Sequence, residues 1–271
     1  MTSVCLTIAG SDPSGGAGIQ ADLKTFHQFG VYGEAAITLL TVQNSVRVSR
    51  VQVLPPWLVL EQIAAVIEDI PPAAAKTGAL GSAEVVEAVA GAAANWKFPL
   101  VVDPVMISKH GLPLLPQEAI RVVSAELLPR AALVTPNVPE AEALTGMRIV
   151  TLDDMREAAA AIHRLGAGAV LIKGGHLAGV ATDVLYDGRE WQEFPGERIE
   201  TRTHMGPGVP IRPPLPPDWR AGKPWPMQWP PPSDSSRRPF APTLGWGTAR
   251  DRSIITPACV EERLLSCDFY D

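Results

Sequence analysis

The chain has 271 residues, 46% of them apolar and 19% charged, with a formal net charge of −6. That length supports one substantial core, and the mildly acidic balance offers nothing to nucleic acid or to an anionic membrane surface. Residues 1–8 lack the basic start of a signal peptide and no apolar run approaches the roughly 20 residues of a membrane span, so a cytoplasmic protein is expected.

Apolar runs rich in β-branched residues alternate with helical periodicity along the first 200 residues, the pattern of βαβ crossovers and a mostly parallel sheet. A strand is expected at residues 4–8, then a Gly-rich loop at 10–18 leading into a helix at 20–29 and a second strand at 34–42. Further on come a helix at 56–69, a strand at 73–77, a helix at 83–93, a strand at 100–103, a helix at 117–127 and a strand at 132–135. Helices at 139–144 and 153–165 precede a strand at 169–173 and a hairpin at 182–186 and 190–194. Cys5, Cys259 and Cys267 form no C-x-x-C pair, so the thiols are expected to be reduced and no structural zinc is expected.

In such sheets ligands bind at the carboxyl ends of the strands, and the polar residues collect there. Gly10, Gly15, Gly16 and Gly18 let backbone approach a ligand closely and aim amides at an anion or hydroxyl. Asp22 either orients a ligand or complements the helix dipole. Gln43 and Asn44 end an apolar strand, where a buried amide needs a partner such as a heteroaromatic edge. Lys76-Thr77-Gly78 follows the third strand. After the fourth, Asp103 is placed to hold Mg²⁺ or a metal-bound water against phosphate, or to cap its loop. Asn137 and Glu140, three apart at a helix start, have capping-box spacing. Lys173, beside Gly174 and Gly175, suits a nucleotide phosphate, and His176 reads as a loop residue.

The order ends near residue 201. Of the 27 prolines, 14 fall in the last 71 residues, together with four of the 7 tryptophans. Pro213, Pro214, Pro216 and Pro217, then Pro230, Pro231 and Pro232, remove backbone donors and exclude helix. The division expected is an α/β domain over residues 1–201 and an irregular tail over 202–271.

The stretches Leu6-Thr7-Ile8-Ala9-Gly10-Ser11-Asp12, Gly15-Gly16-Ala17-Gly18-Ile19-Gln20-Ala21-Asp22-Leu23-Lys24 and Thr41-Val42-Gln43-Asn44 closely resemble the hydroxymethylpyrimidine/phosphomethylpyrimidine kinases of thiamine biosynthesis. Lys76-Thr77-Gly78-Ala79-Leu80, Val102-Asp103-Pro104-Val105-Met106, the Thr135-Pro136-Asn137 run with Glu140-Ala141, and Lys173-Gly174-Gly175-His176 match in the same order. The resemblance implies a ribokinase-like three-layer α/β sandwich that uses ATP and Mg²⁺ to phosphorylate the pyrimidine's hydroxymethyl group and then its monophosphate. It implies that Gly10, Asp22, Gln43 and Val105 line the pyrimidine pocket. Asp103 and Glu140 would serve Mg²⁺, Asn137 and Lys173 the nucleotide, with Lys173 and Asp103 as the catalytic pair. Relatives suggest a homodimer. A pyridoxal kinase shares the fold and much of the chemistry, but the Gln43 context and the opening motif argue against it; a non-catalytic pyrimidine-binding remnant is the other alternative.

One family feature is missing. Gly-Thr-Gly-Cys at a helix N-terminus should close the site, and Gly206-Pro207-Gly208-Val209 stands there instead. Joining the third base of each codon to the first two of the next, with degenerate bases chosen freely, permits Gly-Thr-Gly-Cys from Arg202 onward. Met205 is ATG only, so its last base before the GG of Gly206 forces glycine. The same operation on residues 212–230 permits an alanine-rich helical stretch. The loss of a single base near the Arg202 codon is therefore expected, leaving this chain impaired or inactive as a kinase.

Overall fold

The computed structural model describes residues 3–44, 46–107, 113–175 and 181–196, and structural statements below concern these residues. The tail at 202–271, its boundary at 201, His176 and the Gly206–Val209 stretch lie outside them.

In chain order the elements are β1 (Val4–Ser11), α1 (Gly18–Gln28), β2 (Tyr32–Gln43), β3 (Val48–Val53), α2 (Pro56–Asp69), β4 (Ala74–Thr77), α3 (Ala83–Ala93) and β5 (Leu100–Val102). After these come α4 (Gln117–Val122), β6 (Leu133–Val134), α5 (Val138–Thr145), α6 (Leu152–Arg164), β7 (Val170–Ile172), β8 (Ala181–Tyr186) and β9 (Trp191–Gly196). They form one nine-stranded sheet in the order β3-β2-β1-β4-β5-β6-β7-β8-β9. Pairings from β2 through β7 are parallel, while β3, β8 and β9 join antiparallel at the two edges. The parallel core and the hairpin are as the sequence pattern predicts.

Two differences have local causes. The sequence pattern predicts no element over residues 48–53, yet β3 pairs with β2 at the sheet edge; half-exposed on both faces, it shows no buried stripe. The helix predicted over 117–127 is α-helical only to Val122 and continues as a π-type turn, Val123–Leu127, and a 3₁₀ turn, Leu128–Arg130. That change of pitch lets Val123, Leu127 and Leu128 all be buried, and Pro129 ends the helix.

Alternation along the strands sends successive side chains to opposite faces. Leu6, Ile8, Ala75, Leu100, Val102, Val134, Val170 and Ile172 pack with α2 to α6 on one face. Cys5, Ala74, Val101, Leu133 and Leu171 lie on the other, where Phe26 of α1 joins them. Phe26 is 1% exposed, and burying such a ring contributes about 2 kcal/mol, enough to pin α1 to the sheet. Helix starts are set locally. Ser82 Oγ accepts the Val85 N–H before α3, and Thr151 with Asp154 forms a capping box on α6. Gly146, at φ 71°, ends α5 in the left-handed conformation.

Candidate active site

Strand order reverses at β1: β2 lies on one side of it and β4 on the other. This is a topological switch point, and at its carboxyl edge the structure opens a cleft of about 690 Å³ including its mouth. Gly10, Asp22, Gln43, Asp103 and Val105, all singled out from the sequence, line it. Asn137, Glu140 and Lys173 are not in its lining, but two contacts tie them to it. Lys173 Nζ donates to Asp103 Oδ1 at 3.4 Å, and the Met106 N–H, next to Val105, donates to Glu140 Oε1 at 3.4 Å.

The loop from β1 to α1 holds itself. The Asp12 carboxylate, 3% exposed, accepts the Ser14 N–H at 2.8 Å, the Ser14 hydroxyl at 2.7 Å and the Gly16 N–H at 3.1 Å. The Gly15 N–H donates to Asp12 O, and the Asp12 N–H donates to Gln20 Oε1. Of the amides expected to face an anion or a hydroxyl, those of Ser14, Gly15 and Gly16 are used within the loop instead. Glycine is required where the loop re-enters the helix. Gly18 has φ +57°, and a Cβ there would lie 2.2 Å from Gly10 O.

Asp22 is buried in the second turn of α1, so the helix-dipole alternative does not describe it. Its Oδ2 accepts the Thr7 hydroxyl at 2.5 Å and Lys76 Nζ at 3.0 Å, while Oδ1 accepts Lys76 Nζ at 3.1 Å. Lys76, inside β4 as the expected strand at 73–77 has it, is 3% exposed. Its sequence motif alone implies no role for it. A lysine among Ala74, Ala75 and Thr77 was the available signal, since a cation in a buried strand must be paired.

Gln43 ends β2 half-buried against the cleft. Asn44 does not follow it there: it is exposed, and its Oδ1 accepts the Val46 and Arg47 N–H groups in a turn. The strand end is not the buried apolar run expected, because Leu40 and Val42 are 45% and 56% exposed.

Asn137 and Glu140 form the capping box their spacing predicts. Asn137 Oδ1 accepts the Glu140 N–H and Glu140 Oε2 accepts the Asn137 N–H, both at 2.9 Å. With Oε1 on Met106, the 5% exposed carboxylate ties the start of α5 to the loop after β5. No group of three or more His, Cys, Asp and Glu among the described residues is placed to hold a metal. Asp103 and Glu140 supply hard oxygen donors at neighbouring strand ends, which fits Mg²⁺ of the kind that keeps waters and is shared with phosphates rather than caged by protein.

Solved structures place this architecture among the vitamin kinases. The fold matches a phosphomethylpyrimidine kinase from Clostridium difficile with a TM-score of 0.68 at 46% identity, covering 72% of this chain and 85% of that one. A Bacillus subtilis pyridoxal kinase solved with ADP matches at 0.69 and 40% identity, covering 74% and 78%. The class is thus that of ribokinase-like phosphotransferases. Within it, the phosphomethylpyrimidine kinase model matches residues 12–210, and the chain belongs to that family. The hydroxymethylpyrimidine/phosphomethylpyrimidine kinase of Aquifex aeolicus is 45% identical over 207 residues, 76% of this chain and 81% of the relative. The bifunctional thiamine biosynthesis protein of Geobacter sulfurreducens is 49% identical over 205 residues, but the chain spans only 42% of its length.

Proposed function

We propose that the chain derives from an enzyme that transfers the γ-phosphoryl group of ATP to 4-amino-5-hydroxymethyl-2-methylpyrimidine and then to its monophosphate. The observation that carries this reading is the cleft at the switch point that gathers Gly10, Asp22, Gln43, Asp103 and Val105. Gly10 keeps the floor thin: a Cβ there would meet Leu39 Cδ1 at 2.6 Å. Asp22 and Gln43 offer an acceptor and an amide to the heterocycle. Lys173 and Asn137 serve the nucleotide phosphates. Asp103 and Glu140 would hold Mg²⁺, which when bound neutralises the charge spread over the transferring phosphoryl oxygens. In the transfer the substrate oxygen bonds to γ-phosphorus, the bond to the β,γ-bridging oxygen breaks, and the hydroxyl proton leaves to solvent.

Pyridoxal kinases share the scaffold, as the B. subtilis neighbour illustrates. Turnover of the pyrimidine alcohol against pyridoxal tests the choice; faster phosphorylation of pyridoxal would reverse it. The reading extends to a cytoplasmic homodimer, for which light scattering is the check.

The same reading includes a shifted frame from about residue 202. The family match ends at residue 210, and curated relatives align over only about three-quarters of this chain. Both fit a C-terminal segment translated out of register and a chain without the family's phosphate-cradling Gly-Thr-Gly-Cys. Resequencing the DNA around the Arg202 codon, with an intact mass of the natural protein, tests it. A mass equal to that of the present sequence would rule the shift out.

A further inference from the structure

We propose that Lys76, together with Thr7, is a positioning residue that acts through Asp22 to make the cleft select a ring bearing an amine over one bearing an oxo group. The inference rests on the pyrimidine-kinase reading and names two residues that reading leaves unused.

The arrangement follows from register and helix period. In the parallel β1–β4 pair, Cys5 lies opposite Ala74 and Thr7 opposite Lys76. Alternation sends all four side chains to the face that α1 covers. On α1, Phe26 packs against Cys5 and Ala74 in the same buried cluster, and Asp22 lies one turn earlier on that stripe, at i−4. Seating Phe26 therefore sets Asp22 above Thr7 and Lys76, where its two oxygens receive three hydrogen bonds. Gly78 packs against Ala9, where an added Cβ would lie 2.9 Å from Ala9 Cβ, and the same carbon would be in ordinary contact with Lys76 Nζ at 3.5 Å.

A buried carboxylate salt-bridged on both oxygens and further fixed by a hydroxyl is a rigid, acceptor-only group. Asp22 and Lys76 both line the cleft. An exocyclic amine can donate to such a wall, whereas an oxo group in the same place sets acceptor against acceptor. A site built around a buried polar partner discriminates strongly against the ligand that leaves it unpaired. Without Lys76, the Asp22 side chain loses its fixed rotamer, and that discrimination goes with it.

The test is calorimetric binding to the full chain without nucleotide, using 4-amino-5-hydroxymethyl-2-methylpyrimidine and its 4-oxo counterpart, so that the C-terminal segment does not decide the outcome. The unmodified chain is expected to prefer the amine by roughly tenfold or more. In Lys76→Met the preference falls to within about threefold, and in Thr7→Val it falls part of the way. Circular dichroism reports folding, and should Lys76→Met not fold, the isosteric Thr7→Val decides alone. A folded Lys76→Met with the full preference, or an unchanged Thr7→Val where that variant decides, overturns the inference and leaves the function standing. If the unmodified chain binds neither ring, both fall together.

Discussion

Lys173 and Asp103, 70 positions apart in the chain, meet across β6 with Nζ 3.4 Å from Oδ1. The pair joins the ends of β5 and β7, and β6 between them delivers Asn137 and Glu140. Lys173 is further fixed by its own N–H, which donates to Pro136 O at 2.9 Å. Charge at the strand ends is thereby placed before any ligand arrives, which is what phosphoryl transfer requires of a protein.

In an enzyme with the family's C-terminal frame restored, Asp103→Asn and Lys173→Met should each lower kcat by about 10² to 10³. ADP release in a coupled assay measures it, with circular dichroism as the control for folding. Full activity in either variant would remove that residue from the proposed chemistry.

The chain as written should bind the pyrimidine yet turn it over at least about 10²-fold more slowly than the frame-restored enzyme, because loss of one anion-hole element alone typically costs that much. Parallel ADP-release assays of the two purified proteins give the ratio. Equal rates would show that the closing segment is dispensable.

Gly18→Ala should destabilise the fold by about 1 to 3 kcal/mol, since the new Cβ meets the Gly10 carbonyl 2.2 Å away in a left-handed backbone. For a domain of this size each kcal/mol lowers Tm by roughly 2 to 4 °C. Gly30→Ala is a useful control. It has a similar φ of 71° but no atom within 4 Å of the added carbon, so it isolates the backbone conformational cost from the clash.

Glu34, on β2, gives a pH dependence. Burial pushes its carboxyl from 4.5 to about 7, with the negative charge of Asp69 adding to the effect, and Oε2 has no hydrogen-bond partner among the described residues. The folded state therefore holds a proton that the unfolded state releases nearer pH 4.5. Its stabilising contribution is complete below that value and is lost as pH rises through about 7. After allowance for solvent screening the effect is about 1 to 2 kcal/mol. Urea midpoints at pH 5 and pH 8 should differ more for the unmodified chain than for Glu34→Gln; equal differences would show that Glu34 carries none of the slope.

Much of this fold was legible because burial follows period. α2 and α3 lie where the periodicity of residues 56–69 and 83–93 puts them, and the apolar runs became β1, β4, β5 and β7. β3 was hidden because an edge strand exposed on both sides carries no stripe to read. At the site, residue types pointed to Asp22 and Asp103, but their partners come from elements far away in the chain. Lys76 reaches Asp22 only through the β1–β4 register, and the hold of Glu140 on Met106 exists only once β5 and β6 are neighbours. Spacing alone revealed the local half of the Glu140 arrangement, the capping box, and not the long-range half.

Among the described residues, those lining the cleft lie between Ala9 and Leu114. A ribosome has therefore made these lining residues long before it reaches the codons whose register is in question. On the reading proposed above, a slipped message yields a sponge for a vitamin precursor: a protein that withholds the molecule from intact copies of the enzyme and passes nothing on.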